Sequence, residues 1–271
     1  WMLQTARGVF VRQFLLPFSL AGQAAFAMGA VQLGKGEGWW LVAAFELAVG
    51  VFVAWPMHRF VAALAALYAI QAATLGHFFA RGGDLWVGVW LSPLYWAAAC
   101  ALLVDELRWR TTRAAPLLAA LASALAVHAL SSASLPLLME LGGGGGMSHR
   151  LQPGMAQAAL SLVSFVCLAW LGRARWRSPR GLLLLAALGG GLAVTWQSPG
   201  VGLGITAMAL GFAHSRRWLL WLGGLVALAA IGRFYYFLQV DLLIKSGYLA
   251  LGGVLLLAVR QLVLKGGNDA S

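Results

Sequence analysis

Charge is what this chain has least of. Only 10% of its 271 residues are Asp, Glu, Lys or Arg, against about 25% in a soluble domain. Such a chain cannot clothe a water-facing surface, which excludes an ordinary soluble enzyme or binding module. Acids are scarcer than bases, 8 against 19. The chain has two cysteines, Cys100 and Cys167. Both lie inside apolar runs and read as buried packing residues rather than a disulfide or metal site. Also missing is the alternation of apolar and polar residues that marks outer-membrane strands, which excludes a barrel.

What remains is apolar. Hydrophobic residues make up 61% of the chain and the mean hydropathy is +0.82. The apolar runs, rich in Leu, Ala and Gly, approach the ~20 residues that cross a ~30 Å hydrocarbon core as a helix. The fold class expected is therefore all-α: a polytopic integral membrane bundle of about ten transmembrane helices, forming one transmembrane domain over residues 1–271. Runs and punctuation place the helices near 14–34, 39–55, 60–80, 85–104, 115–139, 154–172, 181–196, 200–214, 218–238 and 242–260. The seventh and eighth are short and joined only by QSPG. They read either as two spans with a tight turn or as one re-entrant hairpin.

Counting Lys and Arg in alternate connections gives an orientation. Fourteen of the 19, among them Arg108, Arg110, Arg113, Arg175 and Arg216, fall on one side; Lys35, Arg81, Arg150, Arg233 and Lys245 fall on the other. The positive-inside rule then puts both termini in the cytoplasm. It also accounts for the net charge of +11 without nucleic acid: RARWRSPR at 173–180 is a short cytoplasmic anchor on lipid headgroups. GGGGG at 142–146 lacks the Gly-Lys-Ser/Thr ending of a phosphate cradle and reads as a flexible non-cytoplasmic linker. GLGITAMALG, in an apolar run, reads as close helix packing.

Polar residues inside the spans are the candidates for function. Glu46 sits midway along its run without a Lys or Arg within a turn, so it is expected to be neutral and hydrogen-bonded between helices, or to relay ions or protons. His128 is mid-span and followed by Ser131, Ser132 and Ser134; with Gln23, Gln32 and Gln71 it reads as packing glue, or as a pore lining. His77, Asp84, Glu140, His149 and Arg150 gather near the non-cytoplasmic face, without the spacing of a metal site. No metal, cofactor or catalytic set is expected.

The stretch RFYYFLQVDLLIKS, residues 233–246, reads as the last non-cytoplasmic hairpin. Arg233, Tyr235 and Tyr236 suit the membrane interface. Asp241 and Lys245, four apart at the start of helix ten, suit a structural ion pair.

That stretch, extended to FYYFLQVDLLIKSGYLALGGVLLLAVR, resembles the closing signature of a bacterial inner-membrane family, domain-of-unknown-function 4401. FVRQFLLPFSLAGQAAFAMGA and MHRFVAALAAL are similar to it as well. Gly247 and Tyr248 depart from its pattern, standing where leucines are expected. The family's opening helices have no counterpart before SLAGQ. With Trp1 as first residue, the expectation is that helices of a longer protein precede it. The resemblance implies a multi-pass protein of the bacterial cytoplasmic (inner) membrane. It also implies a neighbour, a membrane-anchored protein named for a GDYxxLxY motif. The function expected is a non-enzymatic subunit or scaffold that associates with a membrane-anchored extracytoplasmic partner. The alternative is a transporter or channel for a small solute or lipid, lined by Glu46 and His128. A membrane enzyme using Asp241, His149 or Asp84 stands third.

Overall fold

The computed structural model describes residues 9–34, 37–80, 86–141, 154–173 and 199–237, with short helical pieces at 181–182, 185–186 and 188–190 and single helical positions at 246 and 250. The described residues form helices and connections only. In chain order the helices are α1 Val9–Leu33, α2 Gly38–Phe52, α3 Pro56–Ala80, α4 Trp86–Val104, the single turn α5 Glu106–Trp109, α6 Ala115–Leu141, α7 Gly154–Leu171, α8 Pro199–Ala213 and α9 Arg217–Phe237. Eight of them fall on the runs expected to be helical. The pieces at 181–190 fall within the seventh run, and the tenth lies almost wholly outside the described residues. The all-α expectation holds.

Among the described residues two stretches, Pro56–Leu75 and Ala115–Ser132, are long and apolar enough to cross a membrane, with mean hydropathies of 1.2 and 1.6. Gly38–Phe52, Leu91–Val104, Met155–Leu171, Gly200–Ala213 and Arg217–Gly232 are equally apolar in character but shorter.

The helix ends follow from local chemistry. α3 and α8 open on proline, whose missing N–H and fixed φ suit a first helical position. Between α2 and α3 the chain is extended at Val53, and the Arg59 Nε donates to the Val53 carbonyl at 2.8 Å. Between α8 and α9 the turn is a Schellman motif. Arg216 N–H donates to the Gly211 carbonyl at 2.7 Å and Ser215 N–H to Phe212 at 3.3 Å, with Ser215 at φ 54°.

α6 is the central helix, packed on α3, α4, α8 and α9. Its burial runs nearly all round, through Ala120, Ala122, Ala124 to Ala126 and His128 to Leu130, which is why its sequence shows little face-to-face contrast. Alanines let neighbours approach, and Trp96, Leu103, Leu130, Leu203, Leu210 and Leu219 fill the space between. α8 and α9 form the closest pair. A Cβ on Gly204 would lie 2.6 Å from the Gly223 carbonyl oxygen and 2.7 Å from Ala227, and one on Gly223 only 2.7 Å from the Gly204 oxygen. Gly204 and Gly211 of GLGITAMALG are thus contact glycines, as expected.

Candidate functional site

Polar side chains gather where α3, α4 and α6 meet, with one further bond from α4 to α7. At the centre is His128 of α6, fully buried, its ring 4.5 Å from that of Tyr68 (α3) and 4.9 Å from that of Tyr95 (α4). The Tyr95 contact is edge-on at 88°, the favourable quadrupole arrangement. Among the described residues neither His128 nitrogen has a hydrogen-bond partner, and neither does the Tyr95 hydroxyl.

Around this ring the hydroxyls are used up in order. Ser131 donates to the His128 carbonyl at 2.9 Å, so in its bond with Tyr68 the tyrosine hydroxyl is the donor. Ser132 donates to the Ala129 carbonyl at 3.0 Å, so Ser92 of α4 donates to Ser132, at 3.1 Å. Trp96 Nε1 donates to Ser164 of α7 at 3.1 Å, both buried. The Tyr68–Ser131, Ser92–Ser132 and Trp96–Ser164 bonds each join two helices, and for Ser131 and Ser132 this is the role expected of serines after His128. Tyr68 and Tyr95 were not singled out from the sequence. Their spacing carries no signal, because they come from different helices.

A second polar contact joins α1 to α3. Gln23 Nε2 donates to His58 Nε2 at 2.7 Å, with the Ser19 hydroxyl 3.4 Å from the same nitrogen. His58 therefore carries its proton on Nδ1, a buried atom without a partner among the described residues. Gln23 is glue, as expected, and His58 is its unforeseen partner. Glu46 lies on the face of α2 that also carries Val42, Ala43 and Gly50 and is only 2% exposed. That face packs on α3, where Val42 and Ala43 share a cluster with Ala69 and Gly50 meets Ala62. Its Oε2 has no partner among the described residues.

The third group is charged and lies outside the helix interiors. Arg216 Nη2 contacts Glu106 Oε1 at 2.8 Å and Arg216 Nη1 donates to the Ser123 hydroxyl at 3.3 Å. His214 Nδ1 is 3.4 Å from Glu106 Oε2. Two connections and the third turn of α6 meet here. α5 supplies Glu106, α6 supplies Ser123, and the Schellman turn fixes Arg216 two residues beyond His214. The side chains of Glu106, His214 and Arg216 are 12, 14 and 17% exposed. Burial lowers the His214 pKa, an effect that Glu106 opposes and Arg216 reinforces. Its contact with Glu106 is therefore not a charge pair at neutral pH. From the sequence Arg216 reads only as a topology anchor. The available signal was Glu106 itself, an acid in the otherwise basic connection ELRWRTTR.

Of the residues in the last expected hairpin, Arg233, Tyr235 and Tyr236 fall within α9. Their side chains, and Asp241 and Lys245 altogether, lie outside the described residues. The same holds for Asp84, His149 and Arg150, and for the side chains of His77 and Glu140.

The sequence model of the family described as Domain of unknown function (DUF4401) matches residues 1–265. The chain belongs to that family. No curated protein and no solved structure matches it.

Proposed function

We propose that the protein is a polytopic subunit of the bacterial cytoplasmic membrane, with about ten spans and both termini cytoplasmic. In this reading it is a non-enzymatic scaffold for a membrane-anchored partner with an extracytoplasmic domain. One observation carries the membrane part: the outside of the bundle is heavily apolar while polar side chains are held within it. Buried inside are Gln23, Glu46, His58, Glu106, His128 and Ser164, while Phe52, Phe212, Trp221, Leu228 and Leu225 are 64–81% exposed. Water would punish that surface, and a bilayer solvates it.

The scaffold part is supported by how the interior polar groups are used. Ser92–Ser132, Trp96–Ser164 and Gln23–His58 each tie one helix to another, as does the more exposed Tyr68–Ser131 bond. Polar groups spent in this way make a fixed frame, suited to holding a partner. The partner itself rests on the family resemblance. The second reading, a transporter or channel, draws on His128, whose two buried ring nitrogens could meet a passing solute or proton.

The test is gentle detergent purification of the full chain, with identification of what accompanies it. A stoichiometric membrane-anchored protein with an extracytoplasmic domain is the expected result. Purification of the chain alone, with His128→Ala abolishing uptake of a solute, would replace the scaffold with the transporter. Orientation is checked by single cysteines against a low background, since Cys100 and Cys167 are buried. One within residues 142–146 labels from outside the membrane, and one replacing Arg175 does not.

A further inference from the structure

Between α4 and α7 lies an apolar groove of about 400 Å³. One wall is made of small residues of α4: Ala97, Cys100 and Ala101, with Val104 at the end. The other carries Leu162, Val166 and Trp170 of α7, spaced one helical turn apart and 62, 56 and 51% exposed. Small side chains facing large ones leave the hollow, and the exposure of the large ones leaves it open on the outside of the bundle.

The two helices run in the same direction along it. Trp96 bonds Ser164 beside the groove, and the ends of both helices, Val104–Asp105 and Trp170, lie at its same end. At 1.5 Å per residue the Leu162–Trp170 wall is ~12 Å long. One leaflet of hydrocarbon, half of a ~30 Å core, is ~15 Å deep. The groove is therefore about one leaflet deep, and it stops where a headgroup would begin.

That end is chemically marked. The Arg173 guanidinium lies over the Trp170 ring, 4.5 Å from its centroid, which holds a cation at the mouth while the indole sits at interface depth. The acid at the mouth, Asp105, has Arg108 at 3.8 Å. Its charge is partly offset there, and Arg173 over the Trp170 ring adds a cation at the same end. Arg175, Arg177 and Arg180 follow in the sequence.

The geometry points to a binding site for one anionic phospholipid of the cytoplasmic leaflet, with an acyl chain in the α4–α7 groove and its phosphate on Arg173. The site rests on the membrane embedding proposed above but not on the scaffold role. An apolar chain fits the walls, and the lone phosphate fits a stacked arginine, whose flat face stays on the indole while its N–H edge is free to donate.

The test uses the full chain, purified in mild detergent, washed, and assayed by native mass spectrometry with added phosphatidylglycerol or phosphatidylethanolamine. Wild-type protein is expected to retain one phospholipid and to prefer phosphatidylglycerol by roughly tenfold, because both lipids offer a phosphate to Arg173 but only phosphatidylethanolamine carries an ammonium that competes for that phosphate and repels the guanidinium. Ala101→Phe, which fills the groove from an exposed position of α4, should lower retention of both lipids at least tenfold. Val166→Trp fills it from the opposite wall and serves where Ala101→Phe fails to accumulate. Arg173→Gln should reduce phosphatidylglycerol to the phosphatidylethanolamine level and leave the chain-dependent retention in place. Wild-type retention in both filled variants overturns the groove, and an unchanged lipid preference in Arg173→Gln overturns the headgroup contact. Membrane fractionation of the cells from which each variant is purified keeps the two readings apart. Protein that stays in the membrane yet holds no lipid refutes the site alone, and protein found outside the membrane refutes the embedding.

Discussion

The Glu106–Arg216 contact offers the sharpest test of how this bundle is fastened. Both side chains are less than one-fifth exposed and their closest atoms are 2.8 Å apart. A fully hydrated pair would contribute at most ~1 kcal/mol. A desolvated pair behaves differently, because removing one partner strands the other's charge at a cost of ~3–5 kcal/mol. Arg216→Met should be the more damaging single change, since it leaves the Glu106 carboxylate facing only a neutral His214 and removes the donor to Ser123, whose hydroxyl keeps only its bond to the Ala119 carbonyl. Glu106→Gln keeps an oxygen for the guanidinium and should lose ~1–3 kcal/mol, the difference a charged partner makes. The double change removes both charges and should recover most of the loss.

The assay is the thermal midpoint of all four forms in one detergent, at low salt and at 0.5 M salt. For a chain of this size ~3 kcal/mol corresponds to a shift of roughly 6–12 °C. Little salt dependence is expected, because buried pairs are poorly screened. Two single variants within a degree or two of wild type would show the pair to be hydrated. A double variant whose loss equals the sum of the singles would show that the two groups do not interact.

Three further outcomes are expected. Gly204→Ala should cost ~1–3 kcal/mol, since its Cβ would meet backbone atoms of α9, whereas Gly232→Ala on the same hairpin meets nothing within 4 Å and should be neutral or better by thermal midpoint. Burial depresses the His214 pKa in the fold, so stability should be complete above the unfolded value of 6.5 and fall as pH drops below it; His214→Phe should flatten that part of the pH–midpoint curve. Glu46→Gln should leave membrane protein levels near wild type, as a neutral group of equal size fits the α2–α3 seam; a variant that does not accumulate would contradict both the structural and the relay reading of Glu46.

Helix positions were legible because hydropathy alone bounds them. α7 at Gly154–Leu171 and α9 at Arg217–Phe237 differ from the expected 154–172 and 218–238 by a residue. Where the bounds differ, chemistry other than hydropathy intervenes. α1 begins at Val9 rather than near 14, taking in Arg12 and Gln13, and α3 begins at Pro56 rather than 60, taking in His58 and Arg59. Both early turns are polar enough to read as connection, yet Pro56 suits a helix start and arginine and glutamine are good helix formers. Within the site, Glu46, His128 and Gln23 stood out because each is polar in an apolar run. Their surroundings did not, since Tyr68, Tyr95 and His58 meet them only through packing between helices. The charged group at Glu106 was the hardest to read, as its parts are separated by 110 residues of sequence and join only when the α8–α9 turn is folded.

That turn links the stability of the bundle to its fastening. The Schellman motif places Arg216 by two backbone hydrogen bonds, yet its left-handed position is occupied by Ser215 at φ 54°, a conformation that glycine adopts without the ~1 kcal/mol cost of a side chain. Ser215→Gly removes that cost, but it also lets the unfolded chain roam more widely, and the two effects oppose each other. The left-handed term should win here, because the turn is pinned on both sides, by α8 packed against α9 and by Arg216 bonded to Glu106. The expected result is a thermal midpoint equal to or a few degrees above wild type, with the Glu106–Arg216 coupling energy unchanged in the double-mutant cycle. If Ser215→Gly instead lowers the midpoint and weakens the coupling, the serine side chain is holding the turn, and Arg216 owes its position to that residue rather than to the backbone motif.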